Sequence, residues 1–338
     1  MKNKTRNIFF VFGLVAVVIM LLTFKVSFEQ LWHDITKAGY WLLAIMALWL
    51  VLYVMNAWTW NIIIKGSGKC NIPFWKLFKV TVTGFALNYA TPAGLMGGEP
   101  YKIMELTPYI GTQRATSSVL LFAMMHIFAH FWFWVTSVLL YVLLMPLDIG
   151  IGIILSLMLL FCFAGIYLFV KGYKNGMVVK IFKFIAKIPG CKKWATGFMD
   201  SHKEDLRNID LQISELQGQN KRSFYGSFFL EYIGRIFQTF EIFFMLQLFD
   251  VGGNNLMLFV HSLIILAFTS LFANLLFFMP LQLGGREGGF AMSTAQIGMT
   301  NDIGMFISII CRVRELVWTA IGLFIMKIGN KVVADDKN

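Results

Sequence analysis

Long apolar runs follow one another along most of this chain: 8–24, 40–64, 115–145, 149–170, 223–249, 256–279 and 303–326. A helix that crosses the hydrocarbon core of a bilayer needs about 20 mostly apolar residues. In lipid every backbone N–H and C=O must be bonded inside the protein, so repeated runs of this length predict an all-α integral membrane protein. The rest of the composition agrees. The chain is 58% hydrophobic and 14% charged, with a mean hydropathy of +0.69, whereas a soluble domain carries about 25% charged residues. An ordinary cytosolic enzyme, a disordered chain and a disulfide-rich secreted module are excluded. Cys70, Cys162, Cys191 and Cys311 form no C-x-x-C pair, so neither a disulfide framework nor a zinc site is expected.

The run 8–24 follows Lys2, Lys4 and Arg6. No small-residue cleavage site comes after it, which predicts an uncleaved first span. Tyr40, Trp41, Trp58 and Trp60 cluster at run ends, as interfacial anchors do.

The net charge of +11 is the next constraint, and its placement matters more than its size. Residues 2–6 carry +3, 65–79 carry +4, 171–222 carry +6 and the tail 327–338 carries +1, while 25–38 are neutral. These segments total +14 and everything else totals −3. Cytoplasmic loops of membrane proteins collect Lys and Arg. The excess therefore points to topology and not to nucleic acid. It predicts a multi-pass protein of the cytoplasmic membrane with both termini in the cytoplasm. With 65–79 and 171–222 on one side and 115–145 and 149–170 crossing out and back, 80–114 must begin and end in the cytoplasm. Pro92, Pro100 and Pro108 with Gly94, Gly97 and Gly98 forbid a continuous helix there, so a re-entrant broken helix is predicted. By the same parity 223–249 and 303–326 cross in opposite senses. The segment 256–300 must then begin and end outside, a second re-entrant element, although 256–279 is long enough to span outright. The predicted organisation is a first membrane half (1–170), a basic amphipathic cytoplasmic loop (171–222) and a second membrane half (223–338). In the loop, Lys180, Lys183 and Lys187 share one helical face of 177–188, and a second surface helix is expected over 203–217.

The two broken segments share a pattern. The first contains Asn88 and then Pro92, Gly97, Gly98 and Glu99; the second contains Asn274 and then Pro280, Gly284, Gly285, Arg286 and Glu287. Both fit Pro-x4-Gly-x-Glu at an offset of 188 residues. An odd number of full spans per half makes the second copy inverted. Interrupted helices at matching places in two inverted halves point to a transporter's binding site.

These paired Pro/Gly-Gly/Glu segments, with Arg312 about ten residues before Gly322 in a late span, resemble the lysylphosphatidylglycerol synthase transmembrane (flippase-like) family over nearly the whole chain. The resemblance implies movement of a lipid between leaflets, the partner being a membrane lipid with an anionic or phosphate-bearing head group. The chain runs only about a dozen residues past its last span. The expectation is therefore a stand-alone membrane part without the aminoacyl-transferring domain of bifunctional members, a transporter and not a phosphatidylglycerol lysyltransferase.

Glu99 and Glu287 are the leading candidates, since a carboxylate at membrane depth is costly. The alternative is that each caps a broken helix or pairs with Lys102 or Arg286. Arg312 suits a phosphate by bidentate hydrogen bonding, or forms an internal pair with Glu315 or a hairpin carboxylate. Asn88, Gly97, Gly98, Gly284, Gly285 and Arg286 complete the expected substrate-binding set, with Pro92 and Pro280 as structural breaks. Arg314 is expected to be structural. Glu231 and Arg235 read as an i,i+4 pair, and Glu241 has no local partner. His126 and His130, also i,i+4, lack the H-E-x-x-H context and are expected to pack between helices. No cofactor or metal is predicted. A small-solute or ion transporter and an intramembrane lipid or glycan transferase are the competing functions. For the transferase, no Gly-rich nucleotide loop or nucleophile–base pair is legible.

Overall fold

The computed structural model describes residues 7–11, 14–15, 28–90, 97–175, 179–180, 183, 186–187, 192–201, 203–204, 206–208, 210–211, 221–249, 251, 254–276 and 284–328. These residues are helical with short turns and no strand. The helices are α1 (Phe28–Ala38), α2 (Tyr40–Gly66), α3 (Phe74–Ala90), α4 (Gly98–Ile110), α5 (Thr112–Leu144), α6 (Ile149–Asn175), α7 (Lys192–Ser201), α8 (Lys221–Leu246), α9 (Asn255–Leu275), α10 (Gly285–Gln296) and α11 (Asn301–Lys327). The run 8–24, the loop helices expected at 177–188 and 203–217, and Pro92 and Pro280 fall largely or wholly outside the described residues.

Local chemistry sets the boundaries. Asn254 caps α9, its side chain accepting from the Met257 N–H at 2.8 Å. Pro100 is tolerated in the first turn of α4, where its missing N–H has no intrahelical partner to lose. Gly111, at φ +78, ends that helix, its N–H donating to the Thr107 carbonyl at 2.9 Å. Four helices among the described residues are long and apolar enough to cross a bilayer: α2, α5, Ile149–Lys171 of α6, and α9. At 21 residues α9 rises about 31 Å, a full hydrocarbon core. The run at 256–279 is thus long enough in structure as well as in sequence. α8 and α11 fall outside this set because they carry charges along their length; those near the helix ends, such as Lys221, Arg222, Asp302 and Lys327, are exposed, while Glu231, Glu241, Arg312, Arg314 and Glu315 are buried.

The chain forms two compact units. The first comprises 1–54, 75–105 and 236–338; the second comprises 55–74 and 106–235. In the second, α5 and α6 pack as an antiparallel pair: Gly165 lies flat against the Phe131 ring, and Phe128 stacks on Phe169 with centroids 4.1 Å apart. The outer side of α6 exposes Ile153, Leu157, Leu160 and Leu168, as a lipid-facing helix does. Arg114 clasps the C-terminus of α2. It donates to the carbonyls of Ile64 (3.0 Å) and Lys69 (3.0 Å) and to the Ser67 hydroxyl (2.8 Å), at the end of the helix dipole that favours a cation.

The first unit is organised around α11. Gly304 lets α11 pass close to α10, where a Cβ would stand 2.8 Å from the Ala291 Cα. Nearer the other end, Thr83 Oγ1 donates to the Gly322 carbonyl at 3.3 Å, and the Lys79 amine donates to the Ile328 carbonyl. So α3 runs antiparallel to α11 from the C-terminal end of α11. α10 runs antiparallel to it from the N-terminal end.

Candidate functional site

Two helical hairpins carry the repeated motif. In the first, α3 and α4 are antiparallel: Gly84 meets Gly98 backbone to backbone and is covered by the Lys102 side chain. In the second, α9 and α10 are antiparallel: Gly285 abuts Leu276, and Gly289 abuts Thr269 and Phe272. Glu99 and Glu287 both lie in the first turn of the returning helix, where the helix dipole stabilises an anion by about 0.3–1 kcal/mol.

Around Glu99 the partners are local. Asn88, near the end of α3, takes the Gly98 N–H on its Oδ1 at 2.7 Å and donates its Nδ2 to Glu99 Oε1 at 3.0 Å. It thereby closes the N-terminus of α4 across the break. Lys102, one turn on, donates to both Glu99 oxygens at 3.1 and 3.3 Å and lies over the Phe85 ring. Glu105 of the same helix pairs with Lys76 of α3. Gly97 occupies the turn before α4.

Around Glu287 the partners come from α11. One carboxylate oxygen accepts the Gly284 N–H at 2.7 Å, capping α10, and Gly284 itself holds φ +80, a conformation open to glycine. The other oxygen accepts from Arg312 Nε and Nη2 at 3.2 and 3.1 Å. Arg312 also reaches Glu315 at 3.4 Å. Arg286 pairs with Glu315. Arg314 bonds Glu241 of α8 twice, at 2.8 and 3.2 Å, approaches Glu315 at 3.6 Å, and lies 3.7 Å from the centre of the Trp49 ring. Three guanidiniums and three carboxylates thus form one neutral network.

Both hairpin tips therefore meet α11 at its middle. The second tip arrives through Glu287 and Arg286 on Arg312 and Glu315. The first arrives through Tyr89, the neighbour of Asn88, which lies against Arg314 and Glu315. Tyr53 closes the same space against the Trp318 ring, with centroids 4.8 Å apart.

Accessibility is uneven within the pairs. The Glu99 and Glu287 side chains are 26% and 24% exposed, while their partners Lys102 and Arg312 are 2% and 5% exposed. In each hairpin the reachable edge is a carboxylate and the buried end a cation.

Each expected site residue can now be placed. Glu99 pairs with Lys102, and Glu287 caps its helix; both belong to the alternative stated above. Arg286 serves Glu315 instead of Glu287. Arg312 has both of its expected partners. Asn274 does not match Asn88: it is exposed and donates to the Ser270 carbonyl of its own helix at 2.7 Å. Glu241 finds its partner in Arg314, 73 residues away. Glu231 and Arg235 both bond His126. Tyr53, Tyr89 and Trp49 had no signal in the sequence beyond Tyr89 lying next to Asn88.

The model of the lysylphosphatidylglycerol synthase TM region matches residues 8–322. The chain belongs to this family. No curated protein and no solved structure matches it. The lysylphosphatidylglycerol synthase TM match spans both hairpins and ends at Gly322, the glycine that lets α11 approach Val82 and Ala86 of α3. It makes the chain a membrane protein of a lipid-related family.

Proposed function

We propose that this chain moves a lipid head group between the leaflets of the cytoplasmic membrane, with α3/α4 and α9/α10 as two re-entrant hairpins of an inverted repeat. One observation carries the reading: the two tips reach the middle of α11 from its opposite ends and present carboxylates with the same local placement. If α11 crosses the membrane, its middle is the midplane, where transporters of this design hold substrate. N- and C-termini then lie in the cytoplasm, and 171–222 forms a basic surface there.

The chemistry follows from the pairs. Arg312 is buried behind Glu287, so a phosphate reaches the guanidinium only as Glu287 leaves it. Glu287 is then free to receive a cation or a proton. A head group with both charges exchanges partners with the ion pair, and no buried charge is left bare. This limits the desolvation penalty of several kcal/mol per ion that an unpaired charge would meet. The acyl chains stay in lipid. The activity proposed is therefore transport.

The test is leaflet exchange of fluorescent phospholipids in vesicles containing the purified protein. Exchange is expected in the wild type and is expected to be lost in the Glu99→Ala, Glu287→Ala double variant. Unchanged exchange in that variant would remove the carboxylates from the mechanism.

A further inference from the structure

A second group of ionisable side chains lies in the other compact unit, between α5 and α8. Its members are His126 and His130 on α5 and Glu231 and Arg235 on α8. His126 Nδ1 is 2.8 Å from Glu231 Oε2. Arg235 Nη2 is 2.9 Å from the same ring nitrogen and closer still to Nε2. His130 Nδ1 is 2.9 Å from the His126 carbonyl, and its ring lies edge-on to His126 with centroids 4.9 Å apart. Tyr232, the residue after Glu231, shares a hydrogen bond of 2.7 Å with Thr136 of α5. Glu231 is 4% exposed and His126 28%, so the carboxylate is buried and the imidazole is its route outward.

Donor and acceptor arithmetic decides the charge state. An ionised carboxylate only accepts and a guanidinium only donates. Glu231 therefore needs a proton on Nδ1, and Arg235 needs a lone pair on Nε2. The neutral imidazole with its hydrogen on Nδ1 meets Glu231 and the closer of the two Arg235 contacts. A second proton on Nε2 would set N–H against N–H and cation against cation. Protonation must then move Arg235 off the ring, and its natural destination is Glu231, one turn earlier on the same helix, where an i,i+4 pair forms readily.

We infer that His126 is an intramembrane proton-binding site, with Glu231 as its counter-charge and Arg235 as the group a bound proton displaces. The site shares no residue with the Glu287–Arg312 network and does not rest on lipid translocation. Ionisable side chains within a membrane-spanning helix are costly and mark proton relays in pumps and transporters.

The experiment is histidine-selective ¹⁵N NMR of the full chain in phosphatidylcholine nanodiscs across pH, with His126→Gln assigning the resonance. Wild-type His126 is expected as the neutral Nδ1–H tautomer, converting to imidazolium on acidification. Arg235→Gln is expected to raise the pH of that conversion by about one unit or more, and Glu231→Gln to lower it by a similar amount, as a charge within about 4–6 Å requires. Should Arg235→Gln fail to fold, Glu231→Gln alone tests the carboxylate. A wild-type Nε2–H tautomer, or variants that convert at the wild-type pH, would overturn the assignment.

Discussion

The two hairpins share a motif and differ in how it is wired. At the first tip the carboxylate's partners stay at home: Asn88 and Lys102 both bond Glu99, within 15 residues of chain, and it is Tyr89 that reaches α11. At the second, Glu287 and Arg286 reach to Arg312 and Glu315 of α11, and through Arg314 the network continues to α8. The same carboxylate is thus a local latch in one copy and part of a buried assembly in the other. A repeat preserves where a helix breaks and where its first-turn carboxylate falls, because backbone geometry sets both. It does not preserve the partner, which the neighbouring helix supplies.

The sharpest way to break this contrast is to remove one carboxylate from each side. Glu315→Gln takes the shared partner from Arg286, Arg312 and Arg314, all well buried, and should cost about 3–5 kcal/mol, the penalty of stranding a buried charge. Glu99→Gln leaves the buried Lys102 an amide oxygen and the Phe85 ring and should cost less, about 1–3 kcal/mol, as weakening a hydrogen bond to a charged group does. Denaturant unfolding in mild detergent, followed by far-UV circular dichroism, compares them. Equal costs would mean that the two tips are wired alike.

The glycines give a second, smaller contrast. A methyl at Gly98 would stand 2.7 Å from the Gly84 carbonyl carbon and 2.9 Å from its Cα. The backbone of α3 cannot yield cheaply, so Gly98→Ala should lose about 1–3 kcal/mol and open the α3/α4 hairpin. At Gly285 the nearest atom is the Leu276 Cδ1 at 3.1 Å, the end of a flexible side chain. Gly285→Ala should stay within about 1 kcal/mol of wild type, with Ala's higher helix propensity offsetting part of the contact. A larger loss at Gly285 than at Gly98, in the same unfolding measurement, would reverse the assignment of which tip is tightly packed.

How much of this could be read from residues alone follows the range of the interactions. Among the described residues the long runs were legible, because run length acts within a few residues: 40–64 became Tyr40–Gly66, and 303–326 became Asn301–Lys327. The first-turn positions of Glu99 and Glu287 were legible for the same reason. Partner choice was not. The i,i+4 spacing of Glu231 and Arg235 gives no sign of His126, 105 and 109 residues away, which both bond. Arg314 was expected to be structural, but the partner it holds, Glu241 on α8, could not be named from spacing. Only the packing of one helix on another decides such contacts, and no spacing rule along one helix encodes it.

The smallest predicted effect separates the two asparagines that precede Pro92 and Pro280, Asn88 and Asn274. Asn88 is buried and closes a helix N-terminus that belongs to the next segment. Without its side chain the Gly98 N–H loses its acceptor and Glu99 loses one of its donors. Asn88→Ala should therefore cost about 1 kcal/mol, as loss of an N-cap does. It should also slow leaflet exchange by releasing the Glu99 carboxylate from its fixed position. Asn274 is exposed and donates only to the carbonyl one turn back in its own helix, which that carbonyl and the solvent can replace. Asn274→Ala should lie within about 0.5 kcal/mol of wild type and leave exchange unchanged. The two alanine variants, compared in one unfolding series and one exchange assay, ask whether the first tip is held by Asn88 or by the Glu99–Lys102 pair alone. If Asn88→Ala is as silent as Asn274→Ala, the latch is the ion pair, and the first hairpin is closer in design to the second than its hydrogen bonds indicate.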